Sequence, residues 1–431
     1  MAAELSAGAR RAVGRLRAAL AGLFLLYAAA NAVELVDYST YYRGSAWELA
    51  AAGLFTLFAA ALYARRAWLR AVAGYSGVLL LAQALVTPLL RPFDYKTLPP
   101  NLVEVIDVQG DGMPGIEGVQ RITTDGRGYR VNRPVDYQRP AGLRVFAIGG
   151  STTEDIHLDD RRTWTALLAA RLEAALGRPV EMINTGLSGL RSPNHYATLE
   201  QIGGLAPDAV LFLLGANDWN AHIYRAVGLG LDPDLEGAAL LDAHRSLRSI
   251  SLRESLLADV LRRARRAWRE GPPESTGAPR VERSETLRRR RGSLARPRAV
   301  AFRPTRVDPL YDRYLRRIVA TCQERAIHCI FVTQPSGYSP AADAAYRASF
   351  WMTPAFADYT LDLDSLTAVA ALYNQHLMAF GAAAGVPVCD AAAAFEPSFR
   401  YFYDDLHLNA AGAAHMAEVL APCVVAALRR E

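Results

Sequence analysis

Four short motifs in this chain carry the groups that acyl transfer requires. Ser151 follows two glycines in GGST, Gly189 ends NTGLSG, and Asn217 lies in GAND. Near the carboxy terminus, Asp404 and His407 are three residues apart in YDDLHLN. A serine becomes a strong nucleophile when an imidazole takes its proton, and a carboxylate can hold that imidazole in the required tautomer. The tetrahedral oxyanion then needs convergent hydrogen-bond donors.

Each side chain in these motifs has an expected role. We expect Ser151 to attack an ester carbonyl, His407 to act as general base and then general acid, and Asp404 to orient the His407 ring. We expect the main-chain N–H groups of Ser151 and Gly189 to bind the oxyanion, together with the Asn217 side-chain amide. Asp405 also precedes His407, and we expect it to be an exposed residue that points away from the ring.

Singly, each motif is weak evidence. A glycine-rich turn before a helix is more often structural or phosphate-binding, and GGS lacks the full dinucleotide-binding pattern. A lone aspartate three residues before a histidine is commonly part of a surface turn. The combination is strong because all four motifs occur in order where a parallel sheet would present its carboxyl edge.

Alternating strand and helix patterns predict that sheet. Short apolar runs, typical of strands buried on both faces, are Leu143–Ile148, Val180–Ile183, Ala209–Leu214, Cys329–Thr333 and Val386–Cys389. Helical patterns lie between and after them, at Thr163–Leu176, Tyr311–Glu324, Leu366–Ala384 and Ala410–Leu428. The alternation predicts an α/β fold with a doubly wound parallel sheet, whose ligands bind beyond the carboxyl ends of the strands.

The ordered motifs resemble those of the SGNH (GDSL-type) hydrolase superfamily over residues 143–431, apart from a long insert. That family contributes a nucleophilic Ser, an oxyanion Gly, an oxyanion Asn and an Asp–His pair, which match Ser151, Gly189, Asn217, Asp404 and His407. The resemblance implies a flavodoxin-like three-layer α/β/α domain and esterase activity. One departure is Gly150, where the GDSL string has an aspartate, so the local hydrogen bonding must differ.

An apolar amino-terminal region predicts a membrane anchor of three transmembrane helices. Three stretches have the required length, at about 18–36, 46–64 and 71–90. Arginines precede the first stretch and separate the second from the third, so the amino terminus is predicted to be cytoplasmic. Residues beyond Leu90 are then extracytoplasmic, in a multi-pass inner-membrane protein. A cleaved signal peptide is the alternative, because Ala30-Asn31-Ala32 resembles a cleavage site.

The predicted organisation has three parts: a membrane anchor over 1–91, a tether with a small β appendage over 92–142, and the hydrolase domain over 143–431. A basic insert interrupts the hydrolase domain at about 219–309, with an amphipathic helix at Leu252–Arg269 and the run Arg288–Arg291. One interpretation of the insert is an arm for anionic lipid headgroups or acidic glycans. A solvated loop is favoured because no aromatic residues interleave the charges.

Composition excludes several other classes of protein. The 431 residues are 51% hydrophobic and 21% charged, which is too apolar for a disordered or fibrous chain. The net charge is +5, but Lys96 is the only lysine, and this arginine bias does not by itself indicate a nucleic-acid partner. The four cysteines show no zinc-like spacing, so we expect neither a metal nor another cofactor. Cys322 and Cys329 flank a helix-to-strand corner, and all three pairings of the four cysteines stay open.

Further residues have two interpretations. Asp390 ends a predicted strand, but its distance from His407 in the sequence favours a structural role over that of the triad acid. Four other histidines without ligand spacing are expected to be structural: His157, His195, His222 and His376. Tyr338, Trp351 and Met352 either line an acyl or sugar pocket or serve packing.

These observations predict an exported, membrane-anchored serine esterase that forms an acyl-enzyme. The anchor and outward domain look like the tethered members of the family that remodel acyl groups on envelope glycans, so we expect O-acetyl esters of cell-envelope carbohydrates as substrates. An O-acyltransferase with the same residues is one alternative, and it requires a membrane partner that supplies the acyl group. A non-catalytic envelope scaffold is the other, against which the retention of every catalytic position argues. The expected partners are an acylated carbohydrate or small ester and membrane lipids, without nucleic acid.

Overall fold

The structure is a computed structural model that describes residues 13–25, 95–108, 113–228, 298–355, 357 and 359–429. Residues 13–25 are helical and belong to one compact unit, Met1–Asp94 with Gly237–Glu274. The other described residues belong to a second unit, Tyr95–Glu236 with Ser275–Glu431. The predicted spans lie outside the described residues apart from 18–25, which is helical, and so do Leu252–Arg269 and Arg288–Arg291 of the insert.

The second unit alternates strands and helices along the chain. Its described strands are β1 (Val103–Val108), β2 (Gly118–Thr123), β3 (Arg130–Val131), β4 (Leu143–Gly149), β5 (Val180–Asn184), β6 (Ala209–Leu213), β7 (Arg298–Val300), β8 (His328–Val332), β9 (Tyr359–Leu361) and β10 (Val388–Cys389). Its described α-helices are α1 (Ser151–Glu154), α2 (Trp164–Leu176), α3 (Ser192–Ile202), α4 (Ala216–Ile223), α5 (Pro309–Glu324), α6 (Ala344–Arg347), α7 (Leu363–Ala384) and α8 (Ala410–Leu428).

Six of these strands form one sheet, in the order β10–β8–β6–β4–β5–β3. The five strands from β10 to β5 are parallel, which confirms the doubly wound arrangement. The expectation of a wholly parallel sheet is wrong, because β3 pairs antiparallel with β5 at the edge, with Arg130 opposite Asn184. The buried Arg130 guanidinium fixes this edge, since it donates to the main-chain oxygens of Glu154 and Leu158 at 2.7 Å each. The sheet is therefore mixed but mostly parallel.

Helices cover both faces of the sheet. Val145 and Ala147 of β4 belong to a buried cluster that includes side chains of α2 and α8. Successive strand residues point to opposite faces. On the other face, Phe331 of β8 packs against Phe380 of α7 with ring centroids 6.2 Å apart, and α3 packs against α5. The result is a three-layer α/β/α arrangement whose strand ends share one edge.

Two parts of the predicted insert contribute to this domain. Trp219 has no exposed surface and lies within α4, which a π-helical segment, Tyr224–Gly228, follows. At the other end of the insert, β7 pairs in parallel with β9, with Arg298 opposite Tyr359. The loop predicted over the insert at 219–309 is therefore shorter at both ends. Trp219 is a core residue of α4 at one end, and β7 is a paired strand near the other.

Within the part of the chain that the structure describes, α8 is the one helix long and apolar enough to cross a membrane. Its side chains Met416, Leu420 and Val424 are buried in the cluster that also contains Leu168 and Leu172 of α2. Packing against α2 therefore accounts for the apolar sequence of this helix.

Candidate active site

The serine of GGST lies where β4 ends and α1 begins. A Cβ on Gly149 would lie 2.0 Å from Thr153 Oγ1, and a Cβ on Gly150 would lie 2.6 Å from Asn217 Nδ2. Glycine is needed at both positions because neighbouring side chains fill that space. The Asn217 amide thus occupies the room next to Gly150, the position at which this chain departs from the GDSL string. Ser151 is the first residue of the helix that follows and is half-buried.

Three side chains from distant parts of the sequence meet in one hydrogen-bonded line. Ser151 Oγ lies 2.7 Å from His407 Nε2, and His407 Nδ1 lies 2.9 Å and 3.0 Å from the two Asp404 oxygens. With the proton on Nδ1 facing the carboxylate, Nε2 accepts from the serine hydroxyl. This arrangement can move a proton from Ser151 Oγ to His407 during attack on an ester.

The turn that carries Asp404 and His407 is fixed by its own main chain. The N–H groups of Leu406 and His407 donate to Asp404 Oδ1 at 3.0 Å and 2.8 Å, and Tyr403 N donates to His407 O at 3.0 Å. The Tyr403 ring is stacked on the His407 ring, with centroids 5.4 Å apart and planes at 9°. The Tyr403 hydroxyl lies 2.7 Å from His157 Nδ1. The imidazole plane is therefore set by stacking as well as by the carboxylate.

The two adjacent aspartates have opposite electrostatic environments, although both are 1% exposed. Burial disfavours the charged form of Asp404, but the charge of His407 and its hydrogen bonds outweigh this and lower the pKa of Asp404 to about 2. Burial, and after it the negative charge of Asp404, raises the pKa of Asp405 to about 6. The carboxylate beside His407 is thus kept ionised.

The prediction that Asp405 is exposed is wrong. Asp405 Oδ2 accepts from the Tyr338 hydroxyl at 2.6 Å and from Met352 N at 3.1 Å, and Oδ1 accepts from Trp351 N at 3.3 Å. Trp351 Nε1 in turn donates to Asp404 Oδ2 at 3.2 Å. The three residues predicted to line a pocket or to serve packing therefore bind the two aspartates. We name Tyr338, Trp351, Met352 and residues 403–409 together the loop half of the site.

The remaining motifs follow β4, β5 and β6, and we name residues 149–154, 186–192 and 215–218 the strand-end half. Gly189 has φ of +79°, a conformation that favours glycine, and the preceding Ser188 donates to Glu154 Oε2 from N at 2.6 Å and from Oγ at 2.5 Å. Asn217 Nδ2 donates to Leu190 O at 2.7 Å. The segment that carries Gly189 is thus held on one side by the Glu154 carboxylate and on the other by the Asn217 amide.

Buried acids support the strand-end half. Asp218 Oδ1 accepts from Ser192 N at 3.0 Å and from Ser192 Oγ at 2.7 Å, which ties the start of α3 to α4. Burial raises the pKa of Asp218 to about 6 and also raises the pKa of Glu154. Burial raises the pKa of Asp155, which accepts from Trp164 N at 3.1 Å, to about 7. These carboxyl groups hold the main-chain N–H groups of Ser188, Ser192 and Trp164.

Other candidate residues bond elsewhere. Asp390 is exposed, and its Oδ1 accepts from Thr333 Oγ1 at 2.8 Å. His222 Nδ1 lies 3.2 Å from the Tyr373 hydroxyl, and His376 Nε2 lies 3.0 Å from Asp312 Oδ1. Burial lowers the pKa of His195 to about 3, which keeps its ring neutral. In the described ranges, no group of three His, Cys, Asp or Glu side chains could hold a metal ion.

The cysteine pairing that the sequence left open is resolved by the structure. Cys389 of β10 forms a disulfide with Cys423 of α8. Cys322 and Cys329, at the corner between α5 and β8, are buried free thiols. The bond therefore joins the last strand of the sheet to the helix that follows the Asp404–His407 turn.

Several residues of the site carried no signal that sequence patterns alone could interpret. Trp351 and Asp405 meet across 54 residues, and Glu154 meets Ser188 across 34. Glu154 follows Ser151 by three residues, and this helical spacing is a local signal that Glu154 lies near the nucleophile. The contacts of Trp351 had no comparable local pattern.

Comparison with known proteins identifies a family. The model of the family described as GDSL-like Lipase/Acylhydrolase matches residues 147–415, which is more than half of the chain. None of the curated proteins matches significantly. The matched range contains Ser151, Gly189, Asn217, Asp404 and His407.

Similar solved structures are distant in sequence. A lipolytic protein of the G-D-S-L family from Desulfitobacterium hafniense DCB-2 is 11% identical, with a TM-score of 0.33 over 65% of this chain and 99% of that one. The α/β hydrolase LAE5 from the metagenome of Lake Arreo, Spain, is 17% identical, with a TM-score of 0.35 over 68% and 98% of the two chains. A catalytic mutant of the acetylxylan esterase Axe2 from Geobacillus stearothermophilus is 13% identical, with a TM-score of 0.36 over 68% and 96%.

The sheet order, the four motifs and the family match lead to the same assignment. The chain belongs to the GDSL-like lipase/acylhydrolase family and is an enzyme, a hydrolase of the SGNH type.

Proposed function

We propose that this hydrolase is a serine esterase that cleaves O-acyl esters through an acyl-enzyme. The observation that carries the proposal is the line of hydrogen bonds from Ser151 Oγ through the His407 ring to Asp404. A hydroxyl 2.7 Å from an imidazole nitrogen is within the distance that proton transfer requires. The opposite ring nitrogen faces a carboxylate whose low pKa keeps it charged.

In the proposed reaction, the Ser151 oxygen forms a bond to the ester carbonyl carbon while His407 Nε2 takes the hydroxyl proton. Asp404 stabilises the resulting imidazolium through Nδ1–H. When the tetrahedral intermediate collapses, the bond to the leaving alkoxide breaks and His407 donates its proton to that oxygen. A water molecule then attacks the acyl-enzyme with His407 again as the base. The bond between the acyl carbon and Ser151 Oγ breaks, His407 returns the proton to Oγ, and the carboxylic acid leaves.

The carbonyl oxygen becomes an anion in each half of this reaction. We assign its stabilisation to the N–H groups of Ser151 and Gly189 and to the side-chain amide of Asn217. Ser151 N lies at the start of α1, and the positive φ of Gly189 allows the chain to turn sharply at that residue. Hydrogen bonds to Leu190 O and Glu154 hold this segment before substrate arrives, so little reorganisation is needed when the charge develops.

We further propose O-acetyl esters of cell-envelope carbohydrates as the substrates, in a protein anchored by three amino-terminal helices with its catalytic domain outside the inner membrane. The support is the length of the apolar stretches at 18–36, 46–64 and 71–90 and the position of the arginines between them. A reporter that is active only in the cytoplasm, fused after Glu431, should give no signal. Strong signal would contradict the proposed orientation.

Covalent labelling tests the esterase proposal directly. The purified protein should react with a fluorophosphonate probe and hydrolyse a chromogenic acetate ester, and Ser151→Ala should abolish both activities. A Ser151→Ala variant that still forms an acyl-enzyme would rule out the proposed nucleophile. Assays with an acyl donor and a sugar acceptor then separate hydrolysis from transfer, because transfer from Ser151 to a sugar hydroxyl would make the chain an O-acyltransferase.

A further inference from the structure

The Asp404 carboxylate is held by a residue from outside its own turn. Oδ1 accepts from the N–H groups of Leu406 and His407 within that turn. Oδ2, which faces His407 Nδ1 at 2.9 Å, also accepts from Trp351 Nε1 at 3.2 Å. The indole is therefore a second side-chain donor on one of the two oxygens that face the imidazole, and it comes from 53 residues earlier in the sequence.

Trp351 lies in a segment without helix or strand, so another group must fix its backbone. That group is Asp405, whose carboxylate accepts from the main-chain N–H groups of both Trp351 and Met352 at 3.1–3.3 Å. Asn220 Nδ2 of α4 donates to Met352 O at 3.1 Å and holds the other side of the same peptide segment. The backbone that carries the indole is thus bonded on both its donor and acceptor groups.

The cost of this arrangement shows that it does more than fill space. Two adjacent carboxyl groups, each 1% exposed, repel one another and lose hydration. Asp405 is nevertheless surrounded by donors, including the Tyr338 hydroxyl at 2.6 Å and the main-chain N–H groups of Trp351 and Met352. Its hydrogen bonds go to the segment that carries Trp351 and to the Tyr338 hydroxyl.

We propose that Trp351 and Asp405 are positioning residues for the catalytic acid: Asp405 fixes the 351–352 backbone so that the Trp351 indole N–H holds Asp404 Oδ2 toward His407. The proposal rests on the proposed esterase function. It assigns different tasks to two consecutive aspartates, since Asp404 binds the imidazole and Asp405 acts on Asp404 through Trp351.

Kinetics of Trp351→Phe on a chromogenic acetate ester give the first test. Removal of the indole N–H should lower kcat about tenfold, with KM within about twofold of wild type, because the carboxylate matters most when the imidazolium forms. Tyr346→Phe is the matched comparison, since the Tyr346 hydroxyl donates at 2.9 Å to the main-chain oxygen of Asp404 rather than to its carboxylate. Tyr346→Phe should lower the Tm by a similar amount but leave kcat within about threefold.

A double-mutant cycle tests whether Asp405 acts through Trp351. Asp405→Ala should lower kcat by about 10–10²-fold, and Asp405→Asn should recover part of this loss because the amide oxygen can still accept from the two N–H groups. In the Trp351→Phe background, each Asp405 change should cost little more in kcat. Asp405→Asn keeps the cycle measurable where the alanine variant does not fold.

The outcomes separate this proposal from the esterase proposal. Independent, multiplicative losses in the cycle, equal losses for Trp351→Phe and Tyr346→Phe, or a loss confined to KM would overturn the positioning roles while Ser151-dependent hydrolysis stands. Wild-type protein without Ser151-dependent hydrolysis or labelling would overturn both proposals. A kcat loss shared by the two sites and absent from Tyr346→Phe would support the positioning roles.

Discussion

The two halves of the site achieve their geometry by different physical means. In the strand-end half, Ser151, Gly189 and Asn217 each follow a parallel strand, so the register of β4, β5 and β6 places them at one edge. In the loop half, Asp404 and Trp351 have no strand beneath them and meet through side-chain hydrogen bonds. Backbone pairing positions the first half, whereas buried side chains position the second. Small changes in buried polar residues should therefore disturb the loop half more than the strand-end half.

Both halves nevertheless rely on buried carboxylates. Glu154 binds Ser188 beside the proposed oxyanion donor, and Asp405 binds the backbone of Trp351 beside the proposed catalytic acid. In each case an acidic side chain accepts hydrogen bonds from main-chain N–H groups of a segment that is distant in the sequence. Of these three acids, only Asp404 bonds the His407 ring, so it can stabilise the positive charge that forms on that ring during the reaction.

Loss of the general base should have the largest effect on kcat, and it measures how much the loop half contributes to the rate. His407→Ala should lower kcat by roughly 10⁴-fold or more, because it removes the ring nitrogen that takes the Ser151 proton. The rate of chromogenic acetate hydrolysis measures it. His376→Ala is the matched control, since that ring bonds Asp312 instead, and it should retain wild-type kcat. A loss of less than tenfold at His407 would mean that another base acts.

Loss of one oxyanion donor in the strand-end half should have the second-largest effect on kcat. Asn217→Ala should lower kcat by about 10²–10³-fold with little change in KM, because the amide acts on charge that exists only in the transition state. Asn132→Ala removes an amide that bonds only the β5 backbone, at 2.9 Å and 3.0 Å, and should change stability but not kcat. If the Asn217 variant changes KM alone, its amide binds substrate and not the oxyanion.

The carboxylate that supports the strand-end half should have a smaller effect. Glu154→Ala removes the acceptor for Ser188 N and Oγ and should lower kcat about tenfold, whereas Glu154→Gln keeps one acceptor oxygen and should stay within about threefold. Glu173→Ala removes an acceptor for Val180 N at the start of β5, the end away from the site, and should leave kcat unchanged. Equal losses for the alanine and glutamine variants would show that charge, and not positioning, is the contribution of Glu154.

The smallest effect concerns the pH dependence of stability in the loop half. An unfolded aspartate has a pKa of about 4, and burial raises that of folded Asp405 to about 6. The stability from its bound proton is therefore complete below pH 4 and is lost as the pH rises through 6. Asp404, with a lowered pKa, contributes in the opposite sense: its stability is present above pH 4 and is lost as the pH falls toward 2.

Chemical denaturation at pH 4 and pH 7 measures this contribution. The free energy of unfolding should fall between these pH values by more in wild type than in Asp405→Asn, by about 1–3 kcal/mol. Burial also raises the pKa of Asp155 and Asp218, but these groups are present in both proteins and cancel in the comparison. The same fall in both proteins would show that Asp405 keeps an ordinary pKa after folding.

The contrast between the halves also determines what could be predicted from the sequence. The strands β4, β5, β6 and β8 are mostly apolar runs, and glycine-containing motifs follow the first three, so both the sheet and the strand-end half have local signals. The helix α8 was predicted at Ala410–Leu428, and the structure places it there. These features depend on residues that are close in sequence.

The errors fall on features that depend on distant contacts. Asp405 was predicted to be exposed because the three-residue spacing to His407 assigned the ring to Asp404, but Asp405 is buried and bonds Tyr338 and the Trp351–Met352 backbone. Trp219 was assigned to an insert because charged and flexible sequence follows it, yet it packs against Tyr373 with ring centroids 6.0 Å apart. The residue pattern within neither segment indicates these distant partners.

The disulfide encloses the Asp404–His407 turn of the loop half in a covalent ring, and the strand-end half lies outside that ring. Cys389 and Cys423 are 34 residues apart, and the closed ring of chain between them contains both Asp404 and His407 but not Ser151, Gly189 or Asn217. A cross-link of this length restricts the unfolded chain mainly within the ring. Reduction should therefore lower the free energy of unfolding, because the unfolded segment that carries the acid and the base gains conformational freedom when the ring opens.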